Sequence, residues 1–567
     1  MSHDTGVSQA DGAGADDGVG EFALVLHTHL PHLKGHGVWP VGEEWLFQAW
    51  AGSWLPVTRV LERLADDGHR DVLSLGVTPL AAHQVRDPRL ARDLGTWLAG
   101  QMWRSEEQRW HTHMGPEVVE LATFYWRHFA DLLAYHEDVE ARGGLTAVWA
   151  DLAARGVVQL VGGPATHPYL PLVADPALVD AQLAIGLADQ AGWAPSPATG
   201  LWAPEMGYRP AGPVADPTAD PLHVDGYGTP TLPRRGAALP GLEEHYAAHG
   251  IDHMLIDTAT LWAADGRPGR DWTADEVLSP AEAADFGLLH EGVLVGDAEV
   301  AAFARDLNVG CHVWSATAGY PADVWYRDYF AHGTFGTHPS WRVTDRALPP
   351  YAKQPYVPAA AAERVRAHAE HFHGVLRDTL AARPDGVVVC AYDTELFGHW
   401  WFEGPAWLEA LLRRVADDPD LRTTTLASRR QRRPPTRRLP LPESSWGYAK
   451  HHASWVADAT RPMWQAIDDA TDRARRALAG GRGSTPLREQ VARELALLMT
   501  SDWPYMVLRG NAAEYANDRV RAHAAALATL CGLLEDGRED AAVVADLAAR
   551  DDAPRDVTPL LAALDPS

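Results

Sequence analysis

Cysteine is scarce in this chain: three in 567 residues, at Cys311, Cys390 and Cys531. Two of them lie inside apolar runs, which excludes a disulfide framework and suits buried thiols in a reducing compartment. No CxxC and no Cys/His spacing of the zinc type is present, so a structural zinc is not expected. Basic charge is also in deficit. Lys plus Arg number 49 against 76 Asp plus Glu, a formal net charge of −27, and such a field repels phosphate backbones and anionic membranes. Neither a nucleic acid nor a membrane is expected as a partner. Long apolar runs are missing too: none approaches the roughly 20 residues of a membrane-spanning helix. Residues 1–20 are acidic and Gly-rich, with no basic start and no apolar segment, and read as a disordered tail rather than a signal peptide. A cytoplasmic protein is the default expectation.

What is plentiful is core-forming and aromatic. Apolar residues make up 46% of the chain, enough for roughly three to four domains at this length. Tryptophan occurs 23 times, which calls for an unusually aromatic core, an aromatic-lined groove, or both. Flat rings stack on the apolar faces of sugars, while carboxylates and imidazoles bond the hydroxyls at the ring edge.

The chain is organised around Gly386-Val-Val-Val-Cys-Ala-Tyr-Asp-Thr-Glu-Leu-Phe-Gly-His-Trp-Trp-Phe-Glu-Gly404. Its first half reads as a buried parallel strand that runs out into acids, a histidine and aromatics. The same form recurs: Phe22 to Pro31 ends in His27-Thr28-His29, Asp71 to Leu80 in Thr78-Pro79, Val157 to His167 in a histidine, and Gly200 to Pro210 in Glu205. Asp252 to Leu261, Asn308 to Ser315 and Val387 to Asp393 complete seven expected strands. Helical segments between them argue for an α/β protein with a parallel barrel whose strand ends share one face. The expected domains are the barrel (21–98 and 150–410), an inserted mainly helical subdomain (99–149), a basic, solvated linker (411–440) and a helical C-terminal domain (441–567). Residues 211–241, rich in Pro and Gly, read as a surface loop. The stretches Ser444–Gly447 and Thr500–Met506 are expected to be loops folded over the barrel mouth.

Two carboxylates at different strand ends, Glu205 and Asp393, fit glycoside chemistry: one attacks the anomeric carbon while the other protonates the leaving oxygen. Retention requires a separation of roughly 5–5.5 Å. The rival reading is a metal site built from His27, His29, His167 and Asp393, since paired histidines at strand ends bind zinc. Residue types alone set sugar chemistry modestly ahead.

Five ordered stretches, His27–Pro31, Gly163–His167, Leu201–Arg209, Ala391–Trp401 and Ser501–Pro504, resemble the sequence regions of glycoside hydrolase family 57, and within it those of the 1,4-α-glucan branching members. The resemblance implies an incomplete (β/α)7 barrel with an inserted subdomain and a helical C-terminal domain. It implies Glu205 as nucleophile and Asp393 as acid/base, with no metal or other cofactor. His27, His29 and His167 then bond the hydroxyls of the donor sugar, and His399 and Asp502 join the substrate-binding set. Trp39, Trp45, Trp314, Trp446 and Trp455 correspond to an aromatic lining. The partners are a donor and an acceptor α-1,4-glucan, and the product an α-1,6 branch; amylase, 4-α-glucanotransferase and a non-catalytic glucan-binding protein stand as alternatives. One departure concerns the loop after the fifth strand, where branching members carry a tyrosine: Trp262 to Val295 holds none, leaving Trp262, Trp272 or Phe286 as substitutes.

Overall fold

The computed structural model describes residues 18–110, 115–220, 223–224, 230–272, 278–315, 317–331 and 338–565; the expected tail therefore lies almost wholly outside the described residues. Strands β1 (Gly20–Thr28), β2 (Leu73–Val77), β3 (Val158–Val161), β4 (Gly200–Leu201), β5 (His253–Ile256), β6 (Ala301–Ala304) and β7 (Val387–Asp393) all run parallel. They neighbour one another in the order β7-β1-β2-β3, then β4-β5-β6. A parallel bridge between Gly162 and Leu201 joins the two groups. At the far side the Asp306 amide donates to the Val389 carbonyl at 2.7 Å, tying the exit of β6 to β7. β1 is buried along its whole length, as an apolar run covered on both faces requires. Its register with β7 sets His27 directly beside Asp393.

Several expected elements shift. Asn308–Ser315 is a helix, Leu307–Trp314, capped by the Asp306 side chain on the Val309 amide at 3.0 Å. Its buried residues, Val309 and Val313, stand at i and i+4, a helical spacing that short apolar runs disguise as a strand. The true strand, Ala301–Ala304, is compositionally weak and precedes it. Strands β2 and β5 are shorter than expected because Thr78 and Asp257 cap helices immediately behind them. The Pro/Gly-rich stretch is not structureless: Gly212–Ala215 pairs antiparallel with Arg234–Leu239. Thr500–Met506 is no loop either, since a helix spans Asp502–Arg509 with Pro504 in its first turn, where a missing amide costs nothing.

The basic run is likewise not a solvated linker. Leu421–Thr423 adds to β1 as a strand and Leu426–Arg432 is a helix. Glu21, fully buried at the start of β1, receives Arg422, Arg429 and Arg432 at 2.7, 3.0 and 2.9 Å. A buried carboxylate has to be paired, so Arg429 is buried with Glu21 while Arg422 and Arg432 close over it from the surface. Helices α1 (Pro88–Arg109) and α2 (Pro116–Ala141) pack along each other beside the sheet. Beyond residue 460 the chain is helical, from Arg461–Leu478 to Thr558–Leu564. It meets the segment after β3 through a bridge between Pro168 and Thr500, and the stretch before it meets the segment after β4 through one between Tyr208 and Ser444. Among the described residues no helix is long and apolar enough to cross a membrane.

Candidate active site

The two acids stand at strand ends, but their setting comes from elsewhere. Glu205 occupies a single tight turn, Pro204–Met206, with φ 63°; His167, beyond β3, has φ 55°. Left-handed backbone at non-glycine residues costs about 1–3 kcal/mol and persists only where the surroundings over-determine it. Here the C-terminal segment does so. The Trp446 amide donates to the Glu205 carbonyl at 3.0 Å and the Ser501 amide to the His167 carbonyl at 2.9 Å.

The same two residues hold the Glu205 carboxylate. Trp446 Nε1 donates to Oε2 at 2.8 Å and Ser501 Oγ to Oε1 at 3.0 Å. With its proton on Glu205, Ser501 Oγ accepts from His167 Nδ1 at 2.9 Å. His167 Nε2 is then an acceptor, and the contact at 3.1 Å is a donation from His27 Nε2. This ordering leaves His27 Nδ1 as the buried atom without a partner. Burial pushes both imidazoles well below their usual range, so both rings are neutral. The His27 ring lies flat on Trp202, with centroids 4.5 Å apart. His29 stacks on His167 at 3.8 Å and places Nε2 3.1 Å from Asp502 Oδ2 and Nδ1 3.1 Å from Thr78 Oγ1.

Asp393 ends β7 with its carboxyl pushed up to about 7, by burial first and by the charge of Glu205 second. Burial likewise raises Glu205, opposed by the Trp446 and Ser501 donors. Two carboxyls coupled in this way do not both ionise readily. The two donors favour the anion at Glu205, and the carboxyl pushed up to about 7 is that of Asp393. Asp393 lines a cavity of about 660 Å³ together with Trp314, Arg327, Tyr329, Phe330 and Tyr505.

Of the expected site, the structure brings together Glu205, Asp393, His27, His29, His167, Trp446 and Asp502, with Trp314 on the cavity wall. Three tryptophans take other places. Trp455 is completely buried, stacked on Tyr169 at 4.4 Å. Trp45 packs against both large apolar clusters, and Trp39 stands 78% exposed. His399 lines a neighbouring cavity rather than the one on Asp393. Trp262 and Phe286 are buried in the core, with the Arg267 guanidinium over both rings, so neither is free to replace a loop tyrosine; Trp272 packs edge-on against Trp262.

The donors offered for a metal do not converge as a set on Asp393. His29, His167 and Asp502 do bring three ligand atoms within 4.8 Å of one another, each engaged in hydrogen bonds to its neighbours. Ser501, Trp202, Tyr505 and Glu395 are absent from the expected site set, although Glu395 is, with Asp393, one of the two acids at the end of the stretch that organises the chain. Glu395 accepts from Trp54 Nε1 at 2.6 Å and the His29 amide at 3.2 Å. Burial, then the Asp393 charge, pushes its carboxyl up to about 8. A π-helical turn, Trp50–Trp54, aims Trp54 at it, and such turns recur at functional sites. Ser501 could have been found as the neighbour of Asp502 in its motif; Trp202 and Tyr505 carry no polar signature.

Residues 23–442 match the family model described as glycosyl hydrolase family 57, and 462–558 match the C-terminal domain of 1,4-alpha-glucan branching enzyme. A probable 1,4-alpha-glucan branching enzyme of Mycobacterium tuberculosis is 35% identical over 555 residues, covering 92% of this chain and 94% of that one. A 1,4-alpha-glucan branching enzyme of Thermococcus kodakarensis is 31% identical, covering 89% and 72%. The crystal structure of a family 57 branching enzyme from Pyrococcus horikoshii superposes with a TM-score of 0.84 at 30% identity over 96% of this chain and 97% of that one. With the paired acids, the imidazole chain and these matches in agreement, the chain belongs to glycosyl hydrolase family 57.

Proposed function

We propose that the protein is a 1,4-α-glucan branching enzyme that works by retaining double displacement. Glu205 attacks the anomeric carbon of an α-1,4-glucan donor while Asp393 protonates the leaving 4-oxygen. Asp393 then takes the proton from the 6-hydroxyl of an acceptor glucan, which displaces Glu205 and forms the α-1,6 link. The observation that carries this assignment is the division of labour between the acids: two hydrogen bonds favour a charged Glu205, and an acid pushed up to about 7 supplies the proton at Asp393. His27, His29 and His167 serve as hydroxyl-bonding groups around the donor sugar. The seven parallel strands are read as an incomplete (β/α)7 barrel, with α1 and α2 as the inserted subdomain and the helices beyond residue 460 as the C-terminal domain.

Transfer rather than hydrolysis requires the acceptor hydroxyl to reach the glycosyl-enzyme before water does. Trp314, Tyr329 and Tyr505 around Asp393 supply apolar cover for that step. Two measurements test the proposal. Incubation with amylose followed by proton NMR is expected to show new α-1,6 anomeric signals; chain shortening without them would leave an amylase. Azide added to Glu205→Ala with an α-glycosyl fluoride donor is expected to give the β-azide, and azide added to Asp393→Ala the α-azide. The reverse pattern would exchange the two roles.

A further inference from the structure

The cavity on Asp393 has a neighbour. Arg327, Tyr329 and Phe330 line both it and a second cavity of about 320 Å³ that reaches α1 and α2. Both volumes fall in the range of small-ligand sites, roughly 300–1,000 Å³. Phe129, Phe402 and the 72% exposed Phe330 give the second cavity flat apolar walls. Its polar groups, which include Arg104, Arg327, Gln48 and Gln101, are able to bond hydroxyls. His399 is buried, held neutral because burial pushes it down to about 4, and its Nε2 has no partner. Glu44 is fixed by Trp97 Nε1 at 2.9 Å and the Gln48 amide at 3.2 Å, with acceptor capacity to spare. Flat rings beside an orphaned neutral imidazole and a braced carboxylate suit a neutral polyhydroxyl chain.

The side of the site on which this cavity opens decides which chain. Asp393 hands its proton to the leaving oxygen, so the glucan beyond the cleaved bond, and later the acceptor, lies on the Asp393 side. Glu205 lines neither cavity. We infer that the cavity between Phe330, His399 and helices α1 and α2 is an outer subsite for the acceptor α-1,4-glucan chain. This rests on the branching reading above. Its occupation positions the acceptor without touching the reacting atoms.

The test uses His399→Phe, which keeps the ring and removes the nitrogens, and Phe330→Ala. Each is assayed with an α-glycosyl fluoride donor and a varied linear maltooligosaccharide acceptor. The acceptor KM is expected to rise about threefold to tenfold, the worth of one neutral hydrogen bond or ring contact, and reducing ends to gain at the expense of α-1,6 links. Unchanged acceptor KM in both variants, with α-1,6 links still formed, would overturn this inference alone. Wild-type enzyme releasing only reducing ends would overturn it together with the branching reading. Soaking crystals of Glu205→Gln with maltoheptaose gives an independent readout: sugar against Phe330 and His399 supports the subsite, and sugar seated only elsewhere overturns it.

Discussion

Trp446→Phe removes one proton donor from Glu205 while keeping an aromatic ring between Trp202 and Trp314, whose centroids lie 5.3 and 6.0 Å from that of Trp446. The lost bond runs from Nε1 to Oε2 at 2.8 Å, and a hydrogen bond to a charged group contributes about 1.5–3 kcal/mol. At 1.36 kcal/mol per pH unit, that is a rise of about one to two units in the Glu205 pKa. Glu205 as a residue is only half-buried, so solvent takes up some of the loss and about one unit is expected. The sign follows from which form the donor favours. Glu205 acts ionised, so raising its pKa moves the acid limb of the kcat/KM profile to higher pH. The basic limb, governed by protonated Asp393 near about 7, stays where it is or moves slightly, and the bell narrows. Ser501→Ala should act in the same direction through Oε1, and the double variant should fall short of the sum because both bonds end on one carboxylate. Profiles measured with an activated glycosyl fluoride avoid the viscosity and precipitation of long glucans. An acid limb that stays put in both variants, with melting temperatures like the parent's, would show that Glu205 does not owe its charge to these donors, and the assignment of roles would lose its basis.

Breaking the buried Glu21 cluster with Glu21→Gln should cost about 3–5 kcal/mol of stability, because three arginines lose their anion in the interior. Burial alone would raise the Glu21 carboxyl, yet Arg429, Arg432 and Arg422 hold it below the usual glutamate value. That stability is present above the unfolded pKa of about 4.3 and fades as pH falls through the folded value, so acid melts of parent and variant should converge; parallel curves would refute it. Trp314→Ala and Trp455→Ala should separate cleanly. Trp314 is 41% exposed on the cavity wall, so its loss should raise KM with little change in melting temperature. Trp455, wholly buried, should cost about 3–5 kcal/mol on truncation with KM unchanged; the opposite pattern would make Trp455 the ligand-facing ring.

Much of the sheet was legible because apolar runs ending in polar residues mark strands buried on both faces. β7 matches its expected span, and β1 lies within three residues of its own at either end. The failures have physical causes. Ala301–Ala304 carries little β-branched or aromatic signal, and the more apolar Leu307–Trp314 behind it drew the strand assignment. Arg429 and Arg432 looked solvated because their partner, Glu21, lies some 400 residues away in sequence. No local pattern reveals that a lone acid at the start of a strand will be buried among them.

The site divides along the same line between local and distant information. Each of the two acids proposed as catalytic could be read from its own strand end, but the donors that set its charge could not. Which carboxyl is charged depends on Trp446 and Ser501, 241 and 296 residues beyond Glu205, one lying between the two matched family regions and the other inside the second. The same two residues supply the backbone donors that hold Glu205 and His167 in left-handed conformations. In the proposed mechanism the sheet therefore provides two carboxyls, and the C-terminal segment, through its donors to Glu205, makes that pair unequal as a nucleophile and an acid. A chain with every strand-end motif intact but with that segment displaced would keep its acids and lose their difference.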